Sequence, residues 1–191
     1  MFTKILAILI TTITTTAYAT DSVFKPSEDL VNQVKQLEGF SACSYWDHKK
    51  MSIGYGSQRL ENGKHVPGTV KGKKFCISEE RATVLLKRDL EYKGALVMAL
   101  LFDKDVYANQ EMFDALTSFT FNLGIGSLIK SDILDSLAKG KCKTASTIMK
   151  KYNKASGKVL KGLVERRKIE ANLLEEGCKD LKFYNKKGKL K

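Results

Sequence analysis

Two carboxylates and a hydroxyl, set among glycines, are the residues best placed to do chemistry in this 191-residue chain. Glu38 precedes Gly39. Asp47 follows behind Tyr45 and Trp46, and Ser52 comes next, leading into Ile53-Gly54-Tyr55-Gly56. A protonated carboxyl, an ionised carboxylate and a hydroxyl that holds a water are the minimum equipment for hydrolysing a glycosidic bond. The acid protonates the departing oxygen, while the second carboxylate attacks the anomeric carbon or activates a water. Glu suits the first role, because its longer stem reaches into a cleft and partial burial raises its pKa. Asp47 stays ionised if it faces solvent and backbone donors. Ser52 offers a water one donor and two acceptor sites. Taken singly, these residues say little. A Glu at a helix end is ordinarily a solvated charge, an Asp after an aromatic residue ordinarily forms a turn, and Tyr45 and Trp46 ordinarily pack. Gly54-x-Gly56 lacks the third glycine of a dinucleotide-binding loop. The order of the three carries the reading.

The elements around them have to build a groove. Pro26 and Ser27 open a short helix with Leu30, Val34 and Leu37 on one side, and Gly39 ends it. Glu38 therefore falls at the C-terminal lip, where the negative end of the helix dipole disfavours its ionisation. Residues 43 to about 75 lack helical periodicity and carry Gly54, Gly56, Gly63, Pro67, Gly68 and Gly72, a turn density that predicts a small sheet of hairpins. Asp47 and Ser52 belong on that sheet, facing Glu38. Ser78 with Glu79 and Glu80 starts a helix running to about Leu101, long enough to link two lobes. Further helices are expected from near Asn109 to Leu123, from Ser131 to Lys139, from about Thr144 to Tyr152 and from about Gly162 to Glu176. Phe113, Leu116, Phe119, Thr120 and Leu123 face inward on the first of these. Arg166 and Arg167 read as makers of structural ion pairs rather than catalytic contacts. The fold class is α+β, mostly helical, with a small antiparallel sheet lobe and a helical lobe flanking a cleft.

The run Glu38-Gly39, Tyr45-x-Asp47, Ser52-Ile53-Gly54-Tyr55-Gly56 resembles the pattern of the phage-type lysozymes, or endolysins, of glycoside hydrolase family 24. Phe119-Thr120-Phe121-Asn122-Leu123-Gly124-Ile125-Gly126 resembles a second segment of that family. The stretch from Gly157 through Gly162-Leu163-Val164 to Arg166-Arg167 resembles a third. Three motifs in the right order, spanning roughly residues 27 to 177, are far more specific than any one. The resemblance implies a phage-lysozyme-like two-lobed fold and hydrolysis of the β-1,4 bond between N-acetylmuramic acid and N-acetylglucosamine in bacterial peptidoglycan. It implies Glu38 as proton donor, Asp47 as second carboxylate, and Ser52 as the hydroxyl that orients the water. Phe121 and, on an ungapped reading, Ser131 match groove contacts. Inversion is expected, with no metal or organic cofactor. The chain departs from many relatives in three ways. The gap after Asp47 is one residue shorter, Ser52 stands in place of Thr, and Ser57 stands in place of His. A Ser rotamer is less fixed than that of a Thr, which predicts tuned activity.

Outside the motifs, Lys4, an apolar run from Ile5 to Ile10 and Ala17-Tyr18-Ala19 read as a secretory signal peptide over residues 1–19. The uncharged stretch is shorter than the ~20 apolar residues of a membrane helix. An uncleaved anchor, or a segment that inserts and later slips out, stays open as the alternative. Residues 20–178 form the catalytic domain and 179–191 a basic tail. Cys43, Cys76, Cys142 and Cys178 form an even set in an exported chain, which reads as two disulfides with three possible connectivities. Pairing Cys43 with Cys76 and Cys142 with Cys178 is favoured, against free thiols or a redox switch. Zinc lacks ligand spacing. The net charge of +12 favours anionic partners, but lysine outnumbers arginine, which argues against specific nucleic-acid recognition. Bacterial peptidoglycan is the expected partner of an exported monomer that touches membrane only through its signal segment. Two rivals remain: a lytic transglycosylase acting on the same polymer, and a non-catalytic secreted cationic protein that binds envelopes.

Overall fold

The computed structural model describes residues 24–47 and 50–180. Residues 1–19, read above as a signal segment, and the tail beyond residue 180 lie outside the described residues. Helix α1 (Glu28–Glu38) begins where the Ser27 side chain accepts a hydrogen bond from the Leu30 amide, with Glu28 and Asp29 in the first turn. Both features oppose the positive pole of the helix start. It ends because Gly39 adopts φ 71°, a left-handed conformation cheap only for glycine, and its amide caps the Lys35 carbonyl.

Strands β1 (Ser41–Asp47) and β2 (Lys50–Gly54) pair antiparallel, with Tyr45 opposite Ser52 and Asp47 opposite Lys50. An irregularity between Ser41 and Tyr45 bends β1. A second ribbon joins β3 (Thr69–Val70) to β4 (Lys73–Lys74). The 25-residue helix α2 (Glu79–Asp103), capped by Ser78, then spans roughly 37 Å.

Helix α3 (Gln110–Leu123) is buried over most of its circumference, as a helix surrounded by others must be. Around it pack α4 (Ile125–Lys130), α5 (Ile133–Ala138), α6 (Cys142–Lys150) and α7 (Lys161–Asp180). A ribbon of β5 (Lys154–Ala155) and β6 (Lys158–Val159) precedes α7.

Two apolar cores result, and α2 belongs to both. Leu30, Val31 and Val34 of α1, Ile53, Tyr55 and Ala82, Leu85, Leu86 and Leu90 of α2 close the small lobe. Val97 and Leu101 enter the helical core with Phe113, Leu116, Phe119, Leu128, Ile133 and Leu174. Burying each large apolar side chain contributes about 1.5–3 kcal/mol. Between the two halves, Gly94 lets α2 lie against α3. A Cβ there would meet the Phe113 ring at 2.7 Å.

The expected α+β, two-lobed, mostly helical architecture is the one observed. Two elements differ from expectation. Residues 125–130 form a helix in the gap between the expected helices ending at Leu123 and starting at Ser131, and 154–159 form a ribbon in the gap between those ending near Tyr152 and starting near Gly162. Both predicted disulfides are present, Cys43–Cys76 and Cys142–Cys178. The first clips β1 to the chain entering α2, and the second joins α6 to the end of α7. Among the described residues, no helix is long and apolar enough to cross a membrane.

Candidate active site

A cleft of about 570 Å³ runs between the lobes, with Glu38, Asp47, Tyr45, Phe121 and Asn122 in its walls. The cap at Gly39 stops α1 so that Glu38 is its last residue, and the β1–β2 hairpin carries Tyr45 and Asp47 on one face. Tyr45 reports the electrostatics of this face. Burial first, then the negative charges of Asp47 and Glu38, raise its phenol above the ordinary value near 10. Tyr45 thus stays protonated at neutral pH, in the field of both carboxylates.

Glu38 is anchored from the opposite lobe. Arg166 on α7 donates from Nη1 to Glu38 Oε1 at 2.5 Å. The Glu38 side chain is 26% exposed and Arg166 only 4%, so the pair lies at the inner edge of the cleft. Sequence reading missed this, taking Arg166 for a purely structural partner.

Behind Arg166 stands a fully buried carboxylate, Glu170. Burial pushes its carboxyl above the ordinary range, and Arg167 and Arg166 oppose that push. Burial also lowers the Arg167 guanidinium from its usual value, with Glu170 opposing. The spacing Arg166-Arg167-x-x-Glu170, which puts all three within one helical turn, was the available signal.

The other candidates divide. Phe121 lies in the cleft wall, packed against the small-lobe core. Ser52 shares the hairpin face of Tyr45 and Asp47 by register, yet it is fully buried and outside the cavity lining. Its Oγ makes no protein hydrogen bond among the described residues. Ser131 does not reach the cleft lining either. Its hydroxyl donates to the Leu128 carbonyl at 2.8 Å and accepts from the Ile133 amide at 3.4 Å, joining α4 to α5. Ser57 is buried and donates to Asp89 at 2.7 Å on the cleft floor.

Fold and site together define a two-lobed protein with paired carboxylates facing one groove. The phage lysozyme family model matches residues 35–170, and the chain belongs to that family. It is 36% identical over 150 residues to an endolysin of Bacillus phage B103, an alignment that covers 77% of this chain and 52% of the relative. The chain spans about half the length of the Bacillus phage relatives it matches. Among solved structures it resembles the muramidase domain of SpmX from Asticaccaulis excentricus. That match has a TM-score of 0.65 and 28% identity, covering 78% of this chain and 97% of that one. An endolysin from Escherichia coli O157:H7 phage FAHEc1 is similar at a TM-score of 0.65 and 29% identity, covering 80% and 94%.

Proposed function

We propose that this chain is a peptidoglycan muramidase, a glycoside hydrolase that cleaves the β-1,4 bond between N-acetylmuramic acid and N-acetylglucosamine. The observation that carries the reading is the cleft that Glu38 and Asp47 line together with Tyr45. The names of the relatives, endolysin and muramidase, point the same way.

The Arg166 hydrogen bond uses Glu38 Oε1, which leaves Oε2 to carry the proton. Oε2 gives that proton to the bridging oxygen as the glycosidic bond breaks. Asp47 takes a proton from a water that attacks the anomeric carbon on the other face, so the configuration inverts. Ser52, buried on the hairpin face that also carries Asp47, is assigned to fixing Asp47 and its water. Phe121 offers an apolar wall to a sugar ring, and Ser131 is assigned an indirect role through the α4–α5 corner. Tyr45 donates from its retained phenol proton. Export, a monomeric state and peptidoglycan as partner complete the proposal.

Reducing-end release from purified peptidoglycan tests it, with proton NMR of the new anomeric centre read at early times. The α-anomer is expected first. An anhydro-muramic end in the mass spectrum would instead establish a transglycosylase. Bacterial lysis that survives Glu38→Gln would favour charge-driven envelope damage.

A further inference from the structure

We infer that Glu170 is a positioning residue of the cleft, one buried carboxylate that aims two guanidiniums at two groove residues. The inference rests on the muramidase reading for its kinetic consequences and on geometry for its existence.

Every nitrogen of Arg166 is engaged. Nε donates to Glu170 Oε1 at 3.1 Å and Nη2 to the Ser118 carbonyl at 3.4 Å, which leaves Nη1 for Glu38. The planar fork is therefore held from behind on two corners and pointed with the third. Arg167 is held less completely, through Nη2, while its Nη1 is buried without a hydrogen-bond partner among the described residues. Its Nη2 lies 2.9 Å from Glu170 Oε1 and 3.2 Å from Asn122 Oδ1. Its Nε sits 2.7 Å from Glu170 Oε2, an ion-pair contact without hydrogen-bond alignment, and its guanidinium lies over the Phe119 ring at 4.9 Å. Ser118 Oγ donates to Glu170 Oε1 at 2.7 Å. Glu38 and Asn122 both line the cleft.

Charge explains why the hub must be acidic. Arg166 and Arg167 are adjacent and buried, and the charge of Arg166 disfavours that of Arg167. Without Glu170, Arg166 would keep only Glu38 as an anionic partner and Arg167 would lose the carboxylate it pairs with. Removing one member of a buried ionic cluster leaves an uncompensated charge that the fold relieves by moving it. The guanidiniums would swing toward water, and the water lies in the cleft. A displacement on the order of 1 Å at the reacting groups costs about 100-fold in rate. Because Glu170 reaches the substrate only through its neighbours, its loss falls on turnover rather than on binding.

The experiment compares Glu170→Gln, Arg166→Gln and the double variant with the wild-type full chain. It reads kcat and KM on soluble glycan strands, thermal unfolding, and hydrogen exchange of the Arg166 Nε proton by NMR. Glu170→Gln is expected to lower kcat by about 10- to 100-fold with KM within about twofold. In the Arg166→Gln background the same change should cost less than about threefold, the signature of action through Arg166. The protected Nε proton should exchange faster. A folded Glu170→Gln enzyme with unchanged kcat and unchanged exchange overturns the inference, as does an equal loss in both backgrounds. If Glu170→Gln fails to fold, Ser118→Ala removes one donor to the same carboxylate, and should still lower kcat and speed exchange. If the wild type releases no reducing ends, the muramidase reading fails, and Nε exchange alone then decides whether Glu170 fixes Arg166.

Discussion

The two walls of the cleft are built by opposite means. Asp47 and Tyr45 ride on a short hairpin stabilised by ladder hydrogen bonds, a small apolar core and the Cys43–Cys76 link. Glu38 sits on a helix whose apolar side belongs to that same small lobe, yet its carboxylate is gripped by α7 of the other lobe. The start of α1 is tied across as well, since the Ser27 amide donates to Asp114 at 3.3 Å. One wall is thus positioned by covalent and backbone constraint and the other by side-chain electrostatics. The difference teaches where each can fail. The hairpin wall is sensitive to unfolding and reduction, while the helical wall is sensitive to the loss of single charges.

The largest expected effect is on the paired acids themselves. Glu38→Gln and Asp47→Asn should each lower reducing-end release by about 10²- to 10⁴-fold while the circular dichroism and melting transition stay near wild type. Activity within threefold of wild type for either would dissolve the comparison, because that wall would then hold no reacting group.

Next come the disulfides. Each closes a loop of more than thirty residues, with separations of 33 and 36, so replacing either pair by serines should remove about 4 kcal/mol of stability on the chain-entropy account. Denaturant unfolding measures that loss. The pairs should part company in turnover at 25 °C: losing Cys43–Cys76 slackens the Asp47 wall and lowers kcat, whereas losing Cys142–Cys178 leaves kcat nearly intact. Equal kinetic losses would show that both walls share one constraint.

Ser52→Ala makes a subtler cut. The hydroxyl is buried without a hydrogen-bond partner among the described residues, so its removal should change stability by less than about 1 kcal/mol. If it fixes Asp47 and its water, turnover should still fall by about tenfold or more. Parallel losses of stability and rate would reassign Ser52 to packing.

The smallest effect lies on the small lobe's surface. Arg81 pairs with Glu61 at 2.8 Å and is the main reason the Glu61 carboxyl falls from 4.5 to about 2. Because the folded value lies below the unfolded one, this stabilisation is present above pH about 4.5 and fades as pH falls through about 2. Both side chains are about 40% exposed, so solvent screening limits the contribution to well under about 1 kcal/mol. Melting curves of Glu61→Gln and wild type should differ slightly at pH 7 and converge near pH 2.

Local chemistry made the covalent and backbone wall readable from sequence. Ser27, Ser78, Asn109 and Gly39 mark helix ends through their own side chains or their lack of one, and α1, α2 and α3 fall where those residues put them. The second wall was harder to see, because Arg166 and Glu38 lie 128 positions apart and no periodicity reports such a contact. The α4 helix hid behind two glycines, and the β5–β6 ribbon is too short for alternation to register. Ser131 showed a hydroxyl but not its neighbours, and local carbonyl and amide groups claimed it first. Asn122 stood inside a motif already singled out, yet its tie to Arg167 appears only once α3 lies beside α7.

The Cys142–Cys178 bond has one more consequence. Helix ends open and close far more often than helix middles, and Cys178 sits two turns beyond Glu170 on the same helix. A covalent stop at that point lets the terminal amides breathe without the motion travelling inward. Fraying is thereby confined to the last residues of the helix, so the staple serves the stability of that end, while the arginines two turns inward keep their own buried partners.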